Sequence, residues 1–589
     1  MLFITEFEKE KVKNMNSSWI NDYESLNELK EDFGDNALAL YALSLRFEVD
    51  DLKSVGLESI TDGSDDKKLD MIYINTEDHF AVVSQCYFSH KESKSAKGNK
   101  ASDLNTGLIW LLQMNVDDIP ERIKSATVNL RKELNLGNIQ NLYIWYVHNL
   151  PESALISKEL KSVETNLKSI LINNYNKVKV NTFVNEVGNN TLQKWYESSK
   201  RPIFMDENVT FDFEGGYLIN EDDWNSYSTA IKAKDIARLY KKHKKTLFSA
   251  NIRDYLGSRN SNSNINHGIK ETIENEYSNF WAYNNGITIL TNQFVIDHNK
   301  ITLSGMSIVN GAQTTGAISS LNKLPNDRAL IHTRIIAVKN KKTDLIGKII
   351  KYNNSQNQVE AADFRSTDKI QLKLRKEFEE LNFAVYEAGR RGGSTDKIQR
   401  KSNVLGTYYV GQALTAFHGD PITAYNKKRE IWSNNKLYNE IFNDSTTANH
   451  IIFCWSLIKA IEDKQLSYKK MKIRTDQEEK EYRFLRERGA KFLLANAISR
   501  TLETIMSKKI NINTISFINL KSLNEAISNW SNLLNNLLKA SFLLSDAIKD
   551  GLKNAKDIES CIEKYVVFIS MTMQESPSIY KEFSIKVKA

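Results

Sequence analysis

Cysteine is scarce in this chain of 589 residues, and its three copies, Cys86, Cys454 and Cys561, lie far apart. Because they form no CxxC pair, neither a disulfide framework nor a thiolate zinc site is expected. The nine histidines show no HExxH or HxH spacing either. Any bound metal is therefore expected to be a hard cation held by carboxylates and backbone oxygens.

Long apolar runs are missing as well. No stretch approaches the roughly 20 apolar residues of a membrane span, and the N-terminus carries acidic residues where a signal peptide has basic ones. These absences predict a soluble, cytoplasmic protein with no membrane partner. The 80 basic and 73 acidic side chains give a formal net charge of +7, which is compatible with a nucleic-acid partner but does not indicate one by itself.

The length predicts two to four domains, and the hydrophobic pattern changes twice along the chain. We predict an α/β multidomain protein with an α/β domain over 1–205, a mixed α/β domain over 206–445 and a helical domain over 446–589. Only six prolines occur, so clusters of Ser, Asn and Gly mark the loops.

The first domain has a regular order of elements. "LDMIYIN" and "FAVVSQCYF" have the composition of strands, and "TED" supplies the turn between them. Helical spacing precedes them at 22–49, where Gly34 is expected to split the helix. The pattern then predicts a helix over 104–134, a strand over 141–149, a helix with Pro151 at its first position, and a strand over 177–184. The order is helix, strand, strand, helix, strand, helix, strand.

Polar side chains mark this hairpin as a candidate catalytic site. Asp70 and Gln85 lie on consecutive predicted strands, so a hairpin would bring them side by side, and Glu48 ends the preceding helix. Metal-dependent nucleases hold Mg²⁺ with a carboxylate on one strand and an acidic or amide ligand on the next. With the order of elements, these residues resemble the PD-(D/E)xK restriction-endonuclease core in its variant with Gln. The resemblance implies Mg²⁺ (or Mn²⁺) held by Glu48, Asp70 and Gln85.

One position departs from that core. The motif expects Lys two residues after Gln85, and this chain has Tyr87. Lys91, or Lys67 and Lys68, would have to supply the ammonium group, and we take Lys91 as the catalytic candidate. The alternative is a nuclease-like fold without catalysis, or a plain hairpin. Cys86 alternates with Gln85 and is expected in the core.

The middle of the chain is rich in amides and glycine turns. "FWAYNNGITIL", "SIVNGAQTTGAI", "KYNNSQNQVEAADFRSTDKIQ" and "YEAGRRGG" occur in this order, after "LFSANIRDYLG". "VNGAQTTGAI" places a turn with φ > 0 before a predicted helix, an arrangement that favours phosphate. The candidate ligand- or phosphate-binding residues are Asn284, Asn285, Asn310, Gly311, Gln313, Thr314, Asn353, Asn354, Arg390 and Arg391. The alternative is a network of buried amides that ties loops to a sheet.

These five segments resemble the signature of the abortive-infection phage-resistance (AIPR) protein family over roughly 206–445. The resemblance implies bacterial antiviral defence, often with an N-terminal nuclease-like domain. More distantly, "VNGAQTT" followed by "KYNNSQNQ" is similar to the Asp-Gly-Gln-His-Arg proteins of the ParB/sulfiredoxin-like class, although Asn310 replaces Asp and Thr314-Thr315 replace His-Arg.

The sequence thus leaves three functions open. The first is an anti-phage effector that either cleaves nucleic acid, as a metal-dependent endonuclease, or binds it. The second is a non-catalytic recognition or regulatory protein with a degenerate nuclease fold. The third is a nucleotide-binding switch centred on 310–316. Expected partners are nucleic acid, a phage-encoded trigger or co-encoded defence protein, and a second copy of the chain.

Overall fold

The structure is a computed structural model of the whole chain. It describes all residues except 1–17, 48, 50, 62, 64, 92, 201–204, 244–246, 248–262, 322, 340–342, 355–361, 363–364, 367, 387–402, 550, 576 and 589. The described residues form a mixed α/β, multidomain protein that ends in a helical region, as the sequence predicts.

The N-terminal part is a four-stranded sheet with helices on both faces. Its strands are β1 (Met71–Asn75), β2 (Phe80–Tyr87), β3 (Asn141–His148) and β4 (Asn181–Val187). Its helices are α1 (Trp19–Glu24), α2 (Asn27–Phe33), α3 (Ala37–Phe47), α4 (Leu52–Ser59), α5 (Gly98–Leu112), α6 (Glu121–Asn135), α7 (Ala154–Asn174) and α8 (Asn189–Lys200). β1 pairs antiparallel with β2, whereas β2, β3 and β4 are parallel neighbours. The predicted order of elements is therefore confirmed.

The two faces of this sheet bury different side chains. Ile72, Val83 and Ile144 face a core that includes residues of α5 and α7, whereas Val82 and Trp145 face a core that includes residues of α3. This alternation is the period of two that a strand imposes. Side chains of the same parity at the strand ends consequently share one face.

Two details of the N-terminal prediction are wrong. The helix expected over 104–134 is two helices, α5 and α6, because the chain breaks before Pro120. Pro151 does not begin α7: Ser153 is its N-cap, and the Ser153 hydroxyl accepts a hydrogen bond from the Ile156 N–H (3.3 Å). A serine cap satisfies a free helical N–H group, which a proline cannot do. The predicted break at Gly34 is confirmed, since Gly34 ends α2 with φ +57°.

The central part is a six-stranded sheet in the order β5-β9-β8-β10-β7-β6. The strands are β5 (Met205–Asp212), β6 (Gly216–Asn220), β7 (Trp224–Lys232), β8 (Ile287–Asp297), β9 (Lys300–Asn310) and β10 (Leu330–Val338). The accompanying helices and short strands are α9 (Ala233–His243), α10 (Ser263–Asn275), α11 (Phe280–Tyr283), α12 (Ala312–Ser319), α13 (Thr343–Asn354), α14 (Lys369–Leu381), β11 (Val385–Tyr386) and β12 (Val404–Leu405). β8 and β9 form a hairpin, and β10 runs parallel to β8.

The C-terminal part is almost entirely helical, as predicted. It contains α15 (Thr407–Phe417), α16 (Pro421–Asn426), α17 (Glu430–Ser433), α18 (Asn435–Ile441), α19 (Ala448–Lys470), α20 (Asp476–Arg486), α21 (Ala490–Met506), α22 (Leu523–Leu537), α23 (Ala555–Thr572), α24 (Pro577–Ile585), and the strands β13 (Ser516–Phe517) and β14 (Val587–Lys588). Among the residues described, no helix combines the length and apolarity of a membrane span.

The helical region holds the first sheet at the turn between β1 and β2. Both oxygens of Asp78 accept hydrogen bonds from the Arg429 guanidinium (2.6 and 2.9 Å), and the Arg429 N–H donates to the Glu77 carboxylate (2.9 Å). Burial alone would raise the pKa of Asp78, but Arg429 outweighs it and lowers that pKa below its usual range. The turn is thus fixed from outside its own sheet.

A buried ion cluster reinforces this attachment. The carboxylate of Glu462, which is fully buried, pairs with Lys459 (2.9 Å) and Lys491 (2.8 Å). Lys459 also reaches Asp51 (2.8 Å), and Lys491 reaches Glu58 (3.2 Å). Burial alone would raise the pKa of Glu462, but the two ammonium groups hold it well below its usual range. Residues beside and within α4 are therefore tied by charge to α19 and α21.

Candidate functional site

Asp70 immediately precedes β1, and Gln85 lies near the end of β2, so both are at the end of the hairpin away from its turn. The register pairs Met71 with Ser84, and the Asp70 N–H donates to the Ser84 carbonyl (2.9 Å), so Asp70 lies beside the end of β2 that carries Gln85. Asp70 is 8% exposed, and its Oδ2 accepts a hydrogen bond from the Cys86 N–H (2.6 Å). The structure thus brings Asp70 to the end of β2; its pairing with Gln85 and the metal-binding role of both residues stay predictions.

Gln85 has an oxygen that nothing in the described part of the chain satisfies. The residue is 3% exposed, and no group described donates a hydrogen bond to its Oε1. An unsatisfied buried amide oxygen is costly, so native structures rarely keep one without a partner. Such an oxygen beside a carboxylate suits a hard cation, which prefers oxygen ligands.

Cys86 is buried on the opposite face, as expected for a core residue. Burial raises the pKa of its thiol well above the usual value, and the Asp70 carboxylate adds to the rise. A thiol held in its neutral form is a poor nucleophile. Cys86 is therefore not a candidate for a reactive group at this strand end, and Asp70 and Gln85 remain the candidates.

The polar row continues across the sheet. Gln85 pairs in register with Tyr146 on β3, and Tyr146 pairs with Glu186 on β4. Tyr146 is buried, and its hydroxyl donates to the carbonyl oxygen of Lys97 (3.1 Å). Burial raises the pKa of Tyr146, and the neighbouring Tyr87 is the next contributor. Three parallel strands thus bring polar side chains to one edge.

His148 closes this edge. It is fully buried; its Nε2 lies 3.1 Å from Glu186 Oε1, and its Nδ1 lies 3.0 Å from the Leu150 carbonyl oxygen. The Ser153 N–H donates to the same Glu186 carboxylate (3.1 Å). These contacts tie the end of β4 to the loop before α7, so they fix the row rather than leave Glu186 available to a ligand.

Two ammonium groups lie over Tyr87, the residue at the motif's lysine position. Lys97, the N-cap residue of α5, has its Nζ 5.5 Å from the Tyr87 ring centroid, and Lys100, in the first turn, has its Nζ at 5.6 Å. Both distances are within the range of a cation–π contact. The start of α5 therefore supplies positive charge where the motif has a lysine.

The lysines proposed from the sequence lie elsewhere. Lys91 is exposed in the bend after β2. Lys67 pairs with Asp65 (2.6 Å), and Lys68 lies 3.7 Å from Asp103. The structure thus favours Lys97 and Lys100 over all three as the cations nearest Tyr87.

The described residues fit a partial cation site. No group of three His, Cys, Asp or Glu side chains among them is arranged to hold a metal ion. Asp70 and Gln85 supply one carboxylate and one amide oxygen. Mg²⁺ commonly takes one or two carboxylates and fills its remaining positions with water and substrate phosphate, so this pair is compatible with it.

The central sheet has a second cluster at the start of α12. Gly311 is the N-cap residue and has φ +94°, which confirms the predicted turn. A Cβ at Gly311 would lie 2.8 Å from the Gly286 carbonyl oxygen, and a Cβ at Gly286, where φ is +80°, would lie 2.1 Å from the His332 carbonyl oxygen. Three backbone segments therefore meet here at distances that only glycine allows.

Amides and hydroxyls surround this turn. The Asn284 Oδ1 accepts from the Gly286 N–H (2.9 Å), and its Nδ2 donates to the Thr314 hydroxyl (3.2 Å). Asn310 ends β9, immediately before Gly311, whereas Asn285 is exposed. The Gly311 carbonyl accepts from the Thr315 N–H (2.9 Å), but Gly311 has no side chain to accept from the earlier N–H groups of α12. Those groups form the positive end of the helix dipole.

Arg334 lies on β10, two strands from Asn310 on β9, at the matching position of the ladder. Arg334 pairs with Thr288, which in turn pairs with Asn310. Its Nη2 donates to the Thr288 hydroxyl (3.3 Å) and to Asn353 Oδ1, and Asn353 donates to the Ile349 carbonyl oxygen (2.8 Å). Its Nε is buried, and no acceptor among the described residues bonds to it. The structure thus joins Asn353 to this sheet through Arg334.

Some candidates are not placed by the structure. Glu48, Arg390 and Arg391 lie outside the described residues. Gln313 and Asn354 lie within α12 and α13. Their proposed roles stay predictions.

A comparison with protein-family models finds a match that spans the residues of this second cluster. The AIPR protein model matches residues 248–556, more than half of the chain. The chain belongs to the AIPR protein family. Membership supports a role in bacterial abortive-infection, anti-phage defence. No curated protein and no solved structure matches this AIPR protein.

Sequence reasoning missed several residues of the two sites. They are Lys97, Lys100, Tyr146, His148, Glu186, Thr288 and Arg334. A signal existed for Tyr146, His148 and Glu186, since each is polar at the end of a predicted strand that runs beside β2. No comparable signal marks Lys97 and Lys100, because a loop of unknown path precedes them.

Proposed function

We propose that this AIPR protein is an anti-phage effector that cleaves nucleic acid with Mg²⁺ or Mn²⁺ at the end of the β1–β2 hairpin. The observation that carries the proposal is the buried, unsatisfied oxygen of Gln85, whose chain neighbour Cys86 donates its N–H to the Asp70 carboxylate (2.6 Å). Two adjacent oxygens would hold the cation, and Glu48 is the candidate for a third. When bound, a divalent cation activates water and neutralises phosphate charge.

The side chains around this pair have separate tasks. Asp70 is held by the Cys86 N–H, so one of its oxygens is fixed. Lys97 and Lys100 would bind a substrate phosphate or orient the attacking water from above Tyr87. Tyr146 and the His148–Glu186 pair position β3 and β4 beneath them.

The test compares the full-length protein with Asp70→Asn. The asparagine Oδ1 can still accept the Cys86 N–H bond, so the fold should persist while the charge is lost. We expect Mn²⁺ binding, measured by calorimetry, and cleavage of single- or double-stranded DNA or RNA to fall at least a hundredfold. Asp103→Asn, a partly exposed carboxylate on α5, is the matched control and should retain both.

The outcomes separate the alternatives. Wild-type cleavage by Asp70→Asn would contradict the site. Nucleic-acid binding without cleavage by the wild-type protein, at any Mg²⁺ or Mn²⁺ concentration, would instead favour the non-catalytic recognition protein.

A second candidate function is the binding of a phosphate-bearing ligand at the Gly311 turn. It is supported by the start of α12, where the N-cap residue Gly311 makes no side-chain hydrogen bond, and by the buried Nε of Arg334, to which no acceptor among the described residues bonds. Helix N-termini and guanidinium groups both favour phosphate. Hydrogen exchange with nucleotides and short DNA or RNA should show protection across 307–318. Unchanged exchange with all of them would leave these residues as scaffold.

A further inference from the structure

Two large aromatic side chains beside the Gly311 turn are exposed. Trp281 is 43% exposed and Tyr283 is 64% exposed, although both belong to the four-residue helix α11. Phe280 of the same helix is 1% exposed and packs in the core of the central sheet. One buried aromatic thus anchors α11, and the others face solvent, where an apolar ring gains nothing from burial.

Trp281 has one aromatic neighbour. Its ring centroid lies 5.3 Å from that of His332, with an angle of 75° between the planes. His332 is itself exposed on β10. A perpendicular contact of this kind leaves ring faces uncovered, in contrast to a stacked pair.

This aromatic group is continuous with the glycine turn. Asn284 follows Tyr283 directly and bonds to Thr314 in the first turn of α12. The backbone of His332 is the one that Gly286 approaches closely, and Gly286 in turn approaches Gly311. A ligand held at the turn would therefore have the rings of Trp281 and His332 beside it.

We propose that Trp281 and His332 form a platform on which a nucleobase stacks, so that the ligand of the Gly311 turn is a nucleotide. This inference rests on the phosphate-binding role proposed above. Every base has a π-face that stacks on aromatic rings, and phosphate at a helix start completes the recognition. The nucleotide is either a free mononucleotide or one residue of a single strand.

The first experiment separates base from phosphate. Calorimetry on the full-length protein compares ATP with tripolyphosphate, which has the phosphates without the nucleoside, and with short oligo(dT) and oligo(rU). ATP or an oligonucleotide should bind more tightly than tripolyphosphate. Preference for ATP indicates a mononucleotide site, and preference for an oligonucleotide indicates a strand.

The second experiment removes the platform. Trp281→Ala should weaken binding of the preferred nucleotide about tenfold, as loss of one base–aromatic stack does, and should leave tripolyphosphate unaffected. Trp281→Phe should retain most of the affinity. Arg334→Gln should weaken both ligands. Tyr217→Ala is the control, because Tyr217 is an aromatic residue more exposed than Trp281 (68% against 43%) but lies on the edge strand β6.

Each result decides one question. Equal binding of ATP, oligonucleotides and tripolyphosphate, or full affinity in Trp281→Ala, overturns the platform while the phosphate site stands. No binding of any of them overturns the phosphate site and the platform together. Loss of affinity in Tyr217→Ala to the same extent also overturns the platform.

Discussion

The two sheets of this protein both present polar groups at strand ends, but they hold them differently. In the four-stranded sheet the groups are buried side chains, brought together by the antiparallel β1–β2 hairpin and by the parallel strands beside it. In the six-stranded sheet they are largely backbone groups, brought together by two glycines with positive φ. Charged side chains suit a cation and its chemistry, whereas an open helix start suits recognition of an anion. The contrast separates a candidate reaction site from a candidate sensor.

The largest effect is expected from breaking the buried ion cluster that supports the first sheet. Glu462→Ala removes the carboxylate that Lys459 and Lys491 share and leaves two buried ammonium groups without it. We expect the free energy of unfolding to fall by about 3–5 kcal/mol, measured by urea denaturation. Glu559→Ala removes an exposed pair with Arg500 and should change it by no more than about 1 kcal/mol. Similar losses in both variants would contradict a structural role for the cluster.

The next largest effect is expected from a substitution in the glycine turn of the second sheet. Gly311→Val must place a β-branched residue at φ +94° with its Cβ 2.6 Å from an Ile287 methyl carbon. Strain and overlap together should cost roughly 2–4 kcal/mol. Gly316→Ala in the same helix meets no atom within 4 Å and should be stabilising by about 0.5–1 kcal/mol. Gln313→Ala should do little. A Gly311→Val protein as stable as wild type would contradict the geometry of this turn.

Acid should weaken the helical region that carries the first sheet. The His450 Nδ1–H donates to the Ile515 carbonyl (2.8 Å), so its Nε2 accepts from His418 (3.0 Å) and both rings are neutral. Burial lowers the pKa of His418 to about 3 and that of His450 to about 4. The unfolded chain, with histidine pKa values near 6.5, binds more protons below that pH.

Stability contributed by this pair is therefore complete above pH 6.5 and declines as the pH falls toward 4. Between pH 7 and pH 5 we expect the free energy of unfolding to fall by about 2 kcal/mol for each of the two histidines. Thermal or urea unfolding across this range measures it. His418→Asn should flatten the dependence, whereas His298→Asn, an exposed histidine, should not. An equal slope in all three proteins would exclude the pair as its source.

The smallest effect sharpens the first site. Lys100→Ala should lower cleavage about tenfold, equivalent to about 1.4 kcal/mol, because it removes one ammonium above Tyr87. Adding Tyr87→Lys to that variant should restore activity, since a lysine would then occupy the motif position. Lys91→Ala should leave cleavage unchanged. A larger loss in Lys91→Ala than in Lys100→Ala would return the role to the loop lysine.

The sequence predictions that succeeded depend on local patterns of residues. A hairpin fixes which residues share an end, so Asp70 and Gln85 could be placed at the same end from the sequence. Asn-Gly before a helical pattern likewise predicts the positive φ of Gly311. Partnerships between distant segments could not be predicted. Lys100 over Tyr87 and Arg334 beside Thr288 depend on how helices and strands return to a sheet, which local periodicity does not encode.

The attachment of Arg429 to Asp78 has a mechanical consequence. Arg429 lies within the AIPR-matched region and forms its salt bridge with Asp78 in the turn. Asp70 and Gln85 lie at the opposite end of the same hairpin. Two paired strands are stiff along their length of roughly 20–25 Å. The hairpin thus connects the AIPR-matched region, which contacts its turn, with the candidate metal ligands at its other end. Because β2 is also paired with β3, a displacement at the turn would reach Asp70 and Gln85 only together with the sheet.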